Sequence, residues 1–157
     1  MNIKIPYTPR KHQSYLHQQI NRYRWSVLVC HRRFGKTVCM INHLIRSALM
    51  SKLKNPRFAY IAPTFKQAKS IAWDYMKQFT AKIPNTKFNE TELRVDLPNG
   101  SRITLLGAEN SDGLRCIYLD GCVIDEYANI DGKLFSEIIR PALSCLLYTS
   151  PSPRDRG

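Results

Sequence analysis

Apolar positions recur along this chain with two different periods, and the alternation between them outlines its elements. After Thr8-Pro9, which reads as an N-cap followed by a first-turn proline, Leu16, Ile20 and Tyr23 continue an apolar face and put Gln13 in the first turns of a helix. Ser26-Val27-Leu28-Val29 is a short apolar run that predicts a buried strand, and Val38, Ile41, Ile45 and Leu49 return to helical spacing. Residues 57–62 predict a second strand. Thr64 and Gln67 make a capping box for a helix whose face is Ala68, Ile71, Ala72, Tyr75, Met76 and Phe79. Leu93, Val95 and Leu97 alternate, as do Ile103 and Leu105, across Pro98-Asn99-Gly100-Ser101, the pattern of a hairpin. Asp131 is placed to cap a last helix that runs through Ile138 and Ile139 and stops near Pro141. Strands alternating with helices predict a single α/β domain, a doubly wound, mainly parallel sheet with an added antiparallel hairpin.

Chemistry concentrates where the first strand hands over to the second helix. Cys30-His31-Arg32-Arg33-Phe34-Gly35-Lys36-Thr37 lies where a phosphate-binding loop belongs. Such a loop needs backbone N–H groups and a helix N-terminus around phosphate oxygens, a lysine, and a hydroxyl for a metal ion. Gly35, Lys36 and Thr37 meet the last of these needs, whereas Cys30 stands where the first glycine is usual. Alone, Gly-Lys-Thr after a strand is also compatible with a plain helix start and a solvated lysine. Asp120-Gly121-Cys122-Val123-Ile124-Asp125-Glu126 adds weight, because it is a short β-branched run that ends in two adjacent acids. It looks like a Walker B strand. On that reading Asp125 and Thr37 share Mg²⁺ and Glu126 orients and deprotonates a water. Gln13, upstream of the loop, has the donor and acceptor that an adenine edge requires.

Taken in order, Pro9 to Gln13, Arg32 to Thr37, Ala62-Pro63-Thr64-Phe65-Lys66-Gln67-Ala68 and Val123 to Tyr127 resemble the ATPase half of the large terminase subunit of tailed bacteriophages. Leu97 to Ser101, Gly107 to Asn110 and Leu114-Arg115 extend the likeness, which covers nearly all of residues 1–144. The resemblance implies a helicase-like P-loop NTPase fold, with ATP and Mg²⁺ as cofactors. It implies a motor that drives double-stranded DNA into a procapsid, working as a ring on a portal with a small terminase subunit, in the host cytoplasm. It also implies that Arg32 reaches the γ-phosphate of its own site and that Arg115 acts in a neighbouring subunit's site. A surface salt bridge is an equal reading for Arg115, and Cys116 stands where the family usually shows glycine.

Charge is compatible with polyanionic partners. The chain carries 24 Lys and Arg against 12 Asp and Glu, a net +12, and no acid precedes Asp74. Five cysteines and four histidines show no metal-binding spacing, so reduced thiols are expected and zinc is not. No stretch reads as a signal peptide or a membrane span. From Cys145 the chain turns into a Ser-Pro-rich tail that resembles, through Asp155, the translation of a transposase-type sequencing adapter. Residues 145–157 are therefore expected to be non-native. Residues 1–144 are then the front of a longer protein, without the family's nuclease domain and with an unpaired sheet edge.

Two other readings fit parts of the same residues. A helicase-like, nucleic-acid-dependent ATPase shares the loop, the Asp-Glu pair and the upstream glutamine. A basic DNA-binding or assembly module with a degenerate nucleotide site fits the charge, Cys30 and Cys116.

Overall fold

The computed structural model describes residues 4–23, 26–29, 35–115 and 117–144. The cysteine, histidine, two arginines and phenylalanine at 30–34 lie outside these residues, as do Cys116 and the whole of 145–157, so the expectations placed on them are not addressed by the structure.

Five strands form one sheet in the order β2-β3-β4-β1-β5. They are β1 (Arg57–Ala62), β2 (Lys87–Asn89), β3 (Arg94–Asp96), β4 (Arg102–Gly107) and β5 (Gly121–Ile124). β1 lies parallel to both β4 and β5, while β3 pairs antiparallel with β4, and β2 with β3. The expected hairpin is therefore present, with Val95 opposite Ile103. β2 joins it as an additional strand that the pattern did not predict, being three residues long and largely exposed.

Helices cover both faces, as the doubly wound expectation requires. On one side α2 (Lys36–Met50) and the rod α3 (65–80) pack Ile41, Ile45, Trp73 and Met76 against Phe58, Tyr60, Ile103 and Leu105. α3 joins Phe65–Gln67, a π-helical Ala68–Trp73 and Asp74–Thr80 without a break. The wider π turns shift the phase of the buried face, so Trp73 is buried where Tyr75 was expected, and Tyr75 is 39% exposed. On the other side Leu114, from α4 (Ser111–Leu114), and Leu134, Ile138 and Ile139, from α5 (132–144), pack on Ala59 and Ile61. α5 runs through Gly132–Leu134, a π-helical Phe135–Ile139 and Arg140–Ser144. It is capped by Asp131, whose Oδ1 accepts from the Lys133 N–H at 3.0 Å. It continues past Pro141 rather than stopping there; the π-helical segment immediately before it is where the missing N–H and the ring are absorbed.

α1 (Lys11–Arg22) begins two residues later than expected, with Arg10 and not Thr8 as N-cap. The cause is local: Gln13 Oε1 accepts from the Arg10 N–H at 2.9 Å and so closes the first turn. Between α1 and α2 lies a buried polar chain. The Tyr7 hydroxyl is 2.8 Å from His17 Nε2, His17 Nδ1 is 3.0 Å from His43 Nδ1, and Cys39 Sγ is 3.6 Å from His17 Nε2. Burial pushes both imidazoles down, His43 to about 4 with the neighbouring His17 and Arg46 adding to the effect.

One expected strand is corrected. Ser26–Val29 is an unpaired segment with Val27 91% and Val29 94% exposed. An apolar run becomes a strand only beside a partner, and β5, which pairs with β1 alone, has no strand on its outer side among the described residues. No described helix is long and apolar enough to cross a membrane.

Candidate functional site

The parallel strands β1, β4 and β5 end at one edge of the sheet, the edge where doubly wound folds gather their ligands. α2 starts there too. Gly35, its N-cap, has φ 80°, a left-handed conformation that favours glycine. A Cβ at Gly35 would lie 2.5 Å from Arg10 Nη2 and 2.9 Å from Gln13 Nε2, so two side chains of the α1 entrance already fill that space. Gln13 Nε2 also donates to the Gly35 carbonyl at 3.1 Å, which ties the head of α1 to the head of α2.

Next to Gly35, Lys36 and Thr37 meet Asp125. The Thr37 hydroxyl donates to Asp125 Oδ2 at 3.0 Å, and Lys36 Nζ is 3.9 Å from Asp125 Oδ1. Strand alternation explains why the acid points there. Val123 packs on the α2 side of the sheet while Cys122 and Ile124 pack on the other, so a residue two beyond Val123 returns to the α2 side. Asp125 is 9% exposed, and such burial costs several kcal/mol unless the carboxylate finds partners. It has them: besides Thr37 and Lys36, the Tyr60 hydroxyl donates to Oδ2 at 2.6 Å and the Glu126 N–H to Oδ1 at 2.9 Å. Burial, and then the Asp125 carboxylate, push the Tyr60 hydroxyl upward, so it remains a protonated donor.

Glu126 turns the chain sharply. Its φ of 50° and ψ of 46° are left-handed, a strain of roughly 1–3 kcal/mol for a non-glycine residue. Adjacent acids are thereby sent apart: Asp125 inward to α2, Glu126 outward into solvent. Oxygen donors of the Thr37 and Asp125 type, side by side at a helix N-terminus with a lysine beside them, suit a hard divalent cation such as Mg²⁺ together with an anion.

Six of the residues singled out from sequence fall within the described part away from Arg115, and five of them converge: Gln13, Gly35, Lys36, Thr37 and Asp125 form one connected group, with Glu126 at its rim. Gln13, 3% exposed, has its donor and acceptor engaged by Gly35 and Arg10. Arg115 follows α4, 57% exposed along its side chain and paired with Asp112 at 3.8 Å. Sequence reasoning missed Tyr60 and Arg10. An aromatic in a predicted strand reads as core, and an arginine at a helix entrance as solvated; only the strand register and the fold of α1 onto α2 bring them in.

The family model described as "Terminase large subunit, T4likevirus-type, N-terminal" matches residues 29–153. No curated protein matches the chain in sequence. Among solved structures, the large terminase ATPase domain of Thermus phage P74-26 is similar with a TM-score of 0.68 at 23% identity, over 90% of this chain and 62% of that one. The large terminase of a second, thermophilic bacteriophage is similar with a TM-score of 0.70 at 16% identity, over 85% of this chain and 36% of that one. That same terminase in complex with ATP-gamma-S gives a TM-score of 0.65 at 16% identity, over 85% of this chain and 34% of that one. The chain thus spans less than two thirds of the first of these solved chains, itself an ATPase domain, and about a third of the second.

Proposed function

This chain belongs to the T4likevirus-type large terminase subunit family, matched to its N-terminal part, and on that premise we propose that it is the ATP-hydrolysing part of a phage DNA-packaging motor. One observation carries the reading: Lys36 and Thr37, at the head of α2, converge on Asp125 at the end of β5. The head of α2 and the acid that follows β5, 88 residues apart in sequence, are thereby brought together, which supports an arrangement of the kind nucleotide hydrolysis needs.

In this reading the first N–H groups of α2 and the Lys36 ammonium bind the β- and γ-phosphates. Thr37 and Asp125 hold Mg²⁺, which when bound neutralises charge that builds on the phosphoryl oxygens. Glu126 orients a water and takes its proton as the water oxygen bonds to the γ-phosphorus. The bond from that phosphorus to the bridging oxygen breaks, leaving ADP and inorganic phosphate. Either Arg32, in its own site, or Arg115, in a neighbour's, serves as the arginine finger, and Gln13 braces Gly35 at the phosphate-binding head of α2 instead of reading adenine. Double-stranded DNA is the polymer moved, in a ring seated on a portal with a small terminase subunit, in the host cytoplasm. The excess of basic residues before Asp74 supports a polyanionic partner.

The test is ATP turnover by the wild-type chain and Glu126→Gln, with nucleotide binding followed in parallel. Glu126→Gln is expected to bind ATP as the wild type does and to lose about 10²–10⁴-fold in turnover. Unchanged turnover contradicts the mechanism. DNA retention that ignores both ATP and Lys36→Ala favours the binding-module reading instead.

A further inference from the structure

We propose that Tyr60 is a positioning residue for Asp125, setting the carboxylate that meets the metal ion; the inference rests on the nucleotide-site reading above. Tyr60 is fully buried in the middle of β1, opposite Val123 of β5. Its ring belongs to the apolar cluster under α2, yet its hydroxyl leaves that cluster to donate to Asp125 Oδ2 at 2.6 Å, the shortest of the carboxylate's hydrogen bonds among the described residues. The division of labour on the carboxylate is clear. Oδ2 accepts from two hydroxyls, Tyr60 behind and Thr37 in front, whereas Oδ1 accepts from the Glu126 N–H and faces Lys36.

An aspartate at a strand end otherwise rotates freely about two bonds. The Glu126 N–H restrains it from its own backbone, and Thr37 restrains it from the helix that the ligand itself engages. The Asp125 backbone N–H is held by the Ile61 carbonyl at 2.9 Å, but among the described residues Tyr60 alone anchors the carboxylate to the interior of the sheet, from a strand that carries none of the other proposed ligand contacts. Groups that hold a metal ligand from behind fix its orientation and tune its basicity, and their loss typically weakens metal affinity about 10- to 100-fold.

Tyr60→Phe removes the hydroxyl and keeps the ring that packs the core. The experiment titrates Mg²⁺ into the full chain with a fluorescent ATP analogue, for wild type, Tyr60→Phe, Asp125→Asn and the double variant, with thermal unfolding as a check on folding. The expected result is that Tyr60→Phe needs about 10-fold more Mg²⁺ for half-maximal binding, with analogue affinity in EDTA unchanged. Adding Tyr60→Phe to Asp125→Asn is expected to cost nothing further in Mg²⁺ dependence. Three results overturn the inference alone: an unshifted Mg²⁺ midpoint, an equal loss with and without metal, or an additive effect in the double variant. The double variant, which has no charged carboxylate left without its partner, keeps the test open should Tyr60→Phe alone fail to fold. A wild-type chain whose nucleotide binding ignores Mg²⁺ overturns the nucleotide-site reading and this inference with it.

Discussion

Two buried polar clusters hang from successive turns of α2, and they are finished differently. In the first turn Lys36 and Thr37 join Asp125 and Tyr60; one and two turns later Cys39 and His43 join His17 and Tyr7. The second cluster has no formal charge at neutral pH. Its imidazoles are held neutral by burial, and one donates where the other accepts, beside a largely apolar cavity that Tyr7 and His17 help to line. The first cluster contains an anion and a cation, opens at the edge of the sheet, and includes a strained residue, Glu126, beside it. A polar group is tolerated inside a protein when its partners are complete. The cluster that stays charged is the one suited to an ionic ligand.

The largest effect that separates the two clusters is expected from Asp125→Asn. Mg²⁺-dependent nucleotide affinity should fall by about 100-fold or more, to the level measured in EDTA, whereas His43→Gln should leave it where it was. A comparable loss in both variants breaks the comparison, because it means that the second cluster also serves the ligand.

Acid should act on the second cluster. The unfolded chain protonates its histidines near 6.5, while folded His43 stays neutral down to about 4 and His17 is also depressed. More protons are then bound by the unfolded state, so stability falls as pH drops from 6.5 toward 4, by on the order of 2–3 kcal/mol in full. Urea midpoints taken between pH 6.5 and 5, above the ordinary carboxylate range, should decline in the wild type and flatten in His43→Gln. A flat wild-type profile contradicts the neutral-pair account.

The smallest effect belongs to Gln13, which touches both regions through the α1 entrance. Gln13→Ala removes its bonds to Gly35 and Arg10, worth about 1 kcal/mol each, and should lower ATP and GTP affinity by the same few-fold factor. A loss confined to ATP shows instead that Gln13 reads the base directly.

How far the sequence carried this picture depends on whether a signal was local. β1, α2, the β3–β4 hairpin and the Asp131 cap follow from periodicity and turn chemistry held within each segment, and they formed as expected. The meeting of Lys36 and Thr37 with Asp125 was legible for a similar reason, since Gly-Lys-Thr at a helix start and paired acids after a β-branched run are local patterns. What escaped depends on distant partners. Ser26–Val29 has the composition of a strand but no neighbour to pair with among the described residues. Trp73 displaced Tyr75 because π turns, invisible to a fixed period, rotate α3. β2 is too short and too exposed to carry an alternating signal. Tyr60 looks like any core aromatic until the register of β1 against β5 sets its hydroxyl under Asp125.

If the charged cluster at the head of α2 is a nucleotide site, Lys36 carries much of its affinity for phosphate. Equilibrium binding of a fluorescent ATP analogue in the presence of Mg²⁺, compared between the wild-type chain and Lys36→Ala, tests it most directly. Saturable binding by the wild type is expected, with a loss of at least about 10-fold in Lys36→Ala, since removing a charge-assisted contact to phosphate costs roughly 1.5–3 kcal/mol. Equal affinity in the two proteins, both folded, contradicts it.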